Sequence, residues 1–275
     1  MIDFRGKTAL VTGGGAGIGR AIAEGFAQAG AQIVVAEIDE ARAAETREAL
    51  NALGIETLVS VTDVRDRHAV ETMMAEAIAR FGGLDILVNN VGDFLRIVKP
   101  FERYTDDDIE ALYATNLKST FIVTRAGIPV LRDGGSIISI SSIEAFRGIP
   151  MTSVYSAFKH AITGFTRSLS LELAPRGIRV NAIAPETTDT PQVPIHDLIA
   201  DEHRAHVGRW IPLGRFGRPS DAAGAALFLA SDLAGWITGA TINLDGGALA
   251  AGGWYRDPKG LWTNVPVVTG NGFNF

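Results

Sequence analysis

The chain has no cysteine in its 275 residues. That absence removes disulfides, thiolate catalysis, iron–sulfur clusters and cysteine-ligated zinc. It also lacks a basic excess: 25 Lys and Arg stand against 31 Asp and Glu, a formal charge of −6. A net negative surface argues against nucleic acid or an anionic membrane as partner. No apolar run reaches the roughly 18 residues a membrane-spanning helix needs. The apolar stretch from Thr8 to Thr12 is too short for a signal peptide, so the chain reads as soluble and cytoplasmic.

What is present is ordinary globular material, 47% apolar and 20% charged, with room for one large core. Short β-branched runs at 8–11, 32–36, 57–61, 86–89, 136–140, 179–183 and 241–244 alternate with longer helical patterns at 18–29, 40–53, 67–81 and 106–130. Runs such as Ile137-Ile138-Ser139-Ile140 are apolar without alternation, as strands buried on both faces should be. The repetition predicts an α/β fold with a doubly wound parallel sheet, helices on both faces, and a single domain over 1–247.

Two segments break this rhythm. Residues 185–218 carry Pro185, Pro191, Pro194 and Pro212, which predicts a long excursion serving as a substrate lid. Its histidines His196, His203 and His206 are spaced seven and three apart, but zinc would need a further ligand and a fixed shell, so no metal is expected. The extension 248–275 holds Trp254, Tyr255, Trp262, Phe273 and Phe275, too aromatic for a disordered tail, and is expected to pack on its own or a neighbouring subunit.

The first strand runs into Thr12-Gly13-Gly14-Gly15-Ala16-Gly17-Ile18-Gly19 and then an amphipathic helix. Gly13, Gly15, Gly17 and Gly19, with Ile18, permit positive φ and bring backbone N–H groups against a pyrophosphate at the helix N-terminus. The spacing is not GxGxxG in any register, and a tight turn without a ligand is the plain alternative. Strand two ends in Glu37, 18 residues beyond Gly19. An acid there accepts bonds from both adenosine ribose hydroxyls and repels a 2′-phosphate, so NAD is favoured over NADP. Asp63 and Val64, after strand three, are candidates for the adenine edge, although an Asp at a strand end is as readily a turn former.

Tyr155 and Lys159 stand at i and i+4 on one helix face, with Ser142 ending the strand 13 residues before Tyr155. A lysine ammonium and a cationic nicotinamide favour a phenolate, so Tyr155 is the expected acid/base, Ser142 holds the reacting oxygen and Lys159 anchors the nicotinamide ribose.

Together with Asn89-Asn90-Val91-Gly92, Asn116 in Thr115-Asn116-Leu117, Ile140-Ser141-Ser142, and Val180-Asn181-Ala182 before Pro185, these residues resemble the short-chain dehydrogenase/reductase family across roughly 5–247. The resemblance implies a Rossmann-like sheet of seven parallel strands, a homotetramer, and a catalytic tetrad of Asn116, Ser142, Tyr155 and Lys159, with Asn116 holding a water in a proton relay. It further implies that Asn89 stabilises the sheet and contacts the adenosine side, that Val91, Gly92, Pro185 and Thr188 meet the cofactor, and that Thr190 touches the nicotinamide carboxamide or the phosphates. Where that family commonly has Pro-Gly, this chain has Pro185-Glu186. Glu186 therefore either points into the substrate pocket or accepts backbone strain.

The pocket is expected beyond the carboxyl ends of the strands, lined by Asp93, Phe94, Glu144, Phe146 and Glu186. The stretch from Asp93 to Glu102 is also similar to cis-dihydrodiol dehydrogenases of aromatic-acid breakdown. A carboxylated substrate would want Arg96 or Arg147 as cationic partner, whereas the three acids point to a neutral polyhydroxyl or a hydrophobic alcohol. The expected activity is NAD-linked interconversion of a secondary alcohol or diol and a ketone. A cis-dihydrodiol dehydrogenase and a non-catalytic NAD(H)-binding regulator are the alternatives.

Overall fold

The computed structural model describes residues 2–204, 207–252, 255–256 and 262–263. The tail residues Trp254, Phe273 and Phe275 and the lid residue His206 lie outside them. Seven parallel strands form one sheet in the order β3-β2-β1-β4-β5-β6-β7. They are β1 (Thr8–Thr12), β2 (Gln32–Glu37), β3 (Thr57–Val61), β4 (Leu84–Asn89), β5 (Leu131–Ile140), β6 (Arg179–Pro185) and β7 (Thr241–Leu244).

Successive residues of a strand point to opposite faces, and here both faces are apolar. Ala9, Val11, Ile33, Val35 and Val88 join one core, while Leu10, Val34, Ala36 and Leu87 join the other. That is why the strand sequences read as unbroken apolar runs. The helices over these faces are α1 (Gly17–Gln28), α2 (Glu40–Ala52), α3 (Arg67–Phe81), α4 (Asp106–Tyr113), α5 (Ser119–Gly127) and α6 (Ser153–Leu173). Asp39 caps α2, Asp66 caps α3, and Thr105 with Asp108 forms a capping box on α4.

One helix departs from the sequence reading. The pattern at 106–130 predicts continuous helix, but the chain makes a π-helical turn at Ala114–Lys118 between α4 and α5, and helix ends at Gly127. Asn116 lies inside that turn, and its Nδ2 donates to the Leu112 carbonyl at 3.0 Å. Such turns gather at functional sites.

The lid contains the single-turn helices α7 (Ile195–Leu198) and α8 (Asp201–Arg204), and α9 (Pro219–Ala230) follows it. Its two ends are stitched together: Gly217 N–H donates to the Thr187 carbonyl and Asp189 N–H to the Gly217 carbonyl, both at 3.0 Å. After β7 come the short helix α10 (Ala248–Ala251) and a two-stranded antiparallel pair, β8 (Tyr255–Arg256) with β9 (Trp262–Thr263). No helix among the described residues is long and apolar enough to cross a membrane.

Candidate active site

The strand order reverses between β1 and β4, and a crevice opens at such a switch point beyond the carboxyl ends of the strands. One cleft of about 1220 Å³ occupies that position. It exceeds the roughly 300–1,000 Å³ of an ordinary small-molecule site, so it has room for a dinucleotide and a second ligand.

At one end lies the glycine turn. Gly13 and Gly17 adopt φ of +62° and +53°. A Cβ on Gly19 would stand 2.2 Å from the Gly13 carbonyl oxygen, so only glycine closes this turn. Asn90, which the sequence reading quoted in a motif without assigning it a role, fastens the turn to the end of β4. Its Nδ2 donates to the carbonyls of Thr12 and Gly13 at 3.0 and 3.3 Å. The N-cap of α1 is Ala16, with no side chain capping the helix. The N–H groups of its first turn are therefore left for a ligand, which suits a pyrophosphate.

Glu37 ends β2, is 5% exposed and lines the same cleft. Its carboxylate accepts from Gly15 N–H at 2.9 Å and from Ile38 and Asp39 N–H at 3.1 Å. Asp63 and Val64 line the cleft after β3, and an ion-paired hydrogen bond from Arg65 holds the Asp63 carboxyl below its ordinary value. Gly13, Gly17, Ile18, Val91, Gly92, Pro185, Thr188 and Thr190 also line the cleft. Gly15 and Gly19 lie behind it as structural glycines, and Asn89 is buried in the sheet, donating to Thr124 Oγ1 at 2.8 Å. Asn89 does not line the cleft, and its Oδ1 has no hydrogen-bond partner among the described residues.

Ser142, Tyr155 and Lys159 converge at the other end. The strand β5 delivers Ser142, and the first turns of α6 place Tyr155 and Lys159 on one face, with Lys159 Nζ 5.6 Å from the Tyr155 ring centroid. The Ser142 hydroxyl lies close enough to the Tyr155 phenol to lower its pKa. Lys159 Nζ donates to the Ile140 carbonyl at 3.1 Å. A Cβ on Gly92 would stand 2.4 Å from that Nζ, so the glycine there makes room for the ammonium. Asn116 is fully buried against the same face of Gly92, its Oδ1 3.1 Å from where a Cβ would stand: its Nδ2 donates to the Asp93 carbonyl at 2.7 Å and its Oδ1 accepts from Asp93 N–H at 3.0 Å.

Burial dominates the electrostatics of this end of the cleft. It pushes the Tyr155 phenol above its ordinary value; the Ser142 hydroxyl opposes this, and the carboxylates of Glu144 and Asp93 add to it. Burial also brings Lys159 down to about 8, with Asp93 opposing. In the protein by itself, desolvation outweighs the lysine.

Asp93, Phe94, Glu144 and Glu186 line the substrate end, and the Phe94 ring meets Tyr155 edge-on at 6.4 Å. Phe146, expected with them, does not line the cleft and is half-exposed. The 3₁₀ turn Ile143–Ala145, capped by Ser142 Oγ, turns Glu144 inward and carries Phe146 outside. Glu186 is not among the positive-φ residues, so it bears no left-handed strain; its side chain is buried in the cleft wall. Arg147, one expected partner for a substrate carboxylate, already pairs with two carboxylates, while its buried Nη1 has no hydrogen-bond partner among the described residues. Its Nη2 bonds Glu144 at 2.9 Å and Glu186 at 2.5 Å. Burial disfavours the Arg147 cation, but Glu144 and Glu186 outweigh it and hold the guanidinium above its ordinary value. Arg96 is exposed on the cleft rim at φ +53°. In the lid, His196 Nδ1 lies 2.9 Å from Arg204 Nη2.

Comparison with known proteins agrees with this architecture. A family model described as enoyl-(acyl carrier protein) reductase matches residues 13–248. The uncharacterized oxidoreductase YhxC of Bacillus subtilis is 39% identical over 251 residues, covering 90% of this chain and 87% of that protein. A short-chain dehydrogenase of Burkholderia cenocepacia, solved with NADP, superposes with a TM-score of 0.82 at 35% identity over 90% of this chain and 99% of its own. A 7α-hydroxysteroid dehydrogenase, solved with NADH and 7-oxo glycochenodeoxycholic acid, gives 0.83 at 33% identity over 90% of this chain and 95% of its own.

Proposed function

The chain belongs to the short-chain dehydrogenase/reductase family of oxidoreductases, and from that premise we propose that it interconverts a secondary alcohol or diol and a ketone with NAD. The observation that carries this reading is the convergence of Ser142, Tyr155 and Lys159 at one end of a cleft whose other end is the glycine turn and Glu37. A bound nicotinamide would supply the hydride acceptor or donor. Tyr155 takes the proton from the substrate hydroxyl on oxidation and returns it to the carbonyl oxygen on reduction. Ser142, beside the phenol at the same end of the cleft, holds that oxygen in line. Lys159 anchors the nicotinamide ribose. Asn116 is a positioning residue, fixing the Asp93 backbone beside the Lys159 ammonium.

NAD is proposed over NADP because the buried Glu37 carboxylate stands beside the glycine turn, where a 2′-phosphate would meet like charge. The nearby cation, Arg42, lies 3.6 Å from Asp39. The related structures do not decide this point, since one was solved with NADP and another with NADH.

The test is NADH absorbance with a panel of dihydrodiols, sugar alcohols, hydroxysteroids and secondary alcohols, NADP being run in parallel, on the wild type and Tyr155→Phe. Removing the phenolic hydroxyl should lower turnover by about 10²–10⁴-fold, the usual worth of a general acid or base, and leave NADH affinity within about twofold. Turnover retained within about tenfold would refute the role of Tyr155.

A further inference from the structure

Glu186 stands where the family pattern leads one to expect glycine, and a buried carboxylate in a binding cleft costs free energy unless it has work to do. It does not stand alone. Glu144 comes from the end of β5 and Glu186 from the end of β6, and Arg147 bridges them with side chains 9%, 4% and 7% exposed. Two carboxylates share one guanidinium, so this wall keeps a net negative charge, and Asp93 adds to it. Carboxylates accept hydrogen bonds and do not donate them. Glu186 Oε1 accepts from the Thr187 N–H and hydroxyl at 2.7 and 2.9 Å and Oε2 from Arg147, which fixes the group and still leaves acceptor capacity.

The lid contributes a different surface. Ile195, Leu198 and Phe216 give the cleft an apolar lining, and Trp210 packs edge-on against Phe216 at 5.7 Å. The Trp210 indole N–H is buried, belongs to a residue lining the cleft, and has no hydrogen-bond partner among the described residues. Leaving such a donor unmade costs about 1–3 kcal/mol, so it calls for an acceptor. The cleft therefore offers fixed acceptors on one wall and an apolar lid, within whose packing the Trp210 N–H is left without a partner among the described residues.

Resting on the dehydrogenase reading, we propose that Glu186, clamped through Arg147 to Glu144, is the specificity-determining residue of the cleft. It selects an uncharged polyhydroxylated substrate whose second hydroxyl, beside the carbinol that is oxidised, donates to the Glu186 carboxylate, while Trp210 donates to a further substrate oxygen. A carboxylated substrate meets like charge at this wall, because the Arg147 cation is already shared by Glu144 and Glu186, although its buried Nη1 has no hydrogen-bond partner among the described residues. A simple secondary alcohol leaves the remaining acceptor capacity of Glu186 and the indole N–H unused. Sites built to bond a substrate hydroxyl discriminate strongly against analogues that lack it.

The experiment compares four probes with the full chain and NAD: a cyclohexane cis-diol, cyclohexanol, a cis-diol bearing a ring carboxylate, and an aminocyclohexanol. Turnover is read in wild type, Glu186→Gln and Trp210→Phe, and binding is read calorimetrically in the NAD complex of Tyr155→Phe. The neutral diol should exceed cyclohexanol in kcat/KM by about a hundredfold. That ratio should fall at least tenfold in Glu186→Gln and several-fold in Trp210→Phe, with melting temperatures reporting that both variants fold. Turnover without a preference for the diol, a ratio unchanged in Glu186→Gln, or preference for the carboxylated or amino probe would overturn the assignment and leave the dehydrogenase reading standing. Selective diol binding to the NAD complex with no turnover in wild type would support the assignment and sink the dehydrogenase reading. A diol neither bound nor turned over would overturn the assignment, and turnover of no alcohol in this set or in the wider panel would sink the dehydrogenase reading as well.

Discussion

Lys159 is an ammonium in a place that does not favour one. It is 3% exposed, and burial brings it from the ordinary 10.5 down to about 8. Folding therefore disfavours the charged form. The penalty is complete below about pH 8 and fades as pH rises towards 10.5, where the unfolded chain also loses its proton, so this group's contribution to stability rises with pH across that window. Lys159→Met removes the titration. Taking pH 7 to pH 9.5, wild type should gain about 2 kcal/mol relative to the variant, a shift in their melting-temperature difference of roughly 4–8 °C. A difference that is constant with pH would show that Lys159 is not desolvated. The pairing of Tyr155 with Lys159 was legible from the i, i+4 spacing, because helix geometry is local. The sign of the balance on Tyr155 was not. It depends on burial and on Asp93 and Glu144, which come from loops 62 and 11 residues away in the chain.

Elements meet at the site through a few side chains, and Glu37 shows how. As the last residue of β2 it accepts from Gly15 of the turn and from the first N–H groups beyond the strand, binding strand end and turn into one unit. Glu37→Gln keeps an acceptor there and removes the charge. NADP should then gain about tenfold in kcat/KM relative to NAD, because like-charge repulsion of a 2′-phosphate disappears while the turn stays fastened. An unchanged ratio would show that Glu37 does not read the ribose. The strands were legible to within a few residues because their apolar runs carry the signal, although β5 begins at Leu131, five residues before the run predicts. The π turn at Ala114–Lys118 was hidden. One extra residue in a turn barely disturbs a 3.6-residue periodicity, and what fixes it is Asn116 bonding Leu112 and Asp93. Asn90 and the Arg147 clamp were missed as structural ties for a related reason: their partners are set by which strand ends the topology brings together.

At the scale of the whole molecule, the doubly wound sheet follows from strand–helix repetition and the right-handed crossover rule, and the strand order then fixes where the cleft must open. The same topology leaves two edge strands, β3 and β7. β7 pairs only with β6 among the described residues, and none of its residues is buried, unlike β1 or β4. Just before it in the chain, Leu233 is 73% exposed and Trp236 fully exposed. Scattered exposed leucines are ordinary, but a bare tryptophan beside an open sheet edge is the composition of an association surface. We propose that this edge contributes to the homotetramer implied by the family resemblance. Light scattering on the full chain should then give a mass near four times 29.2 kDa. Trp236→Asp removes the largest apolar side chain there and adds a charge, a change worth about 2 kcal/mol or more at an interface centre. It should shift the mass towards dimer or monomer at micromolar concentration, with NADH binding retained because Trp236 does not line the cleft. A variant that stays tetrameric would place the interface elsewhere, and a wild-type monomer would leave Trp236 as solvent-exposed surface.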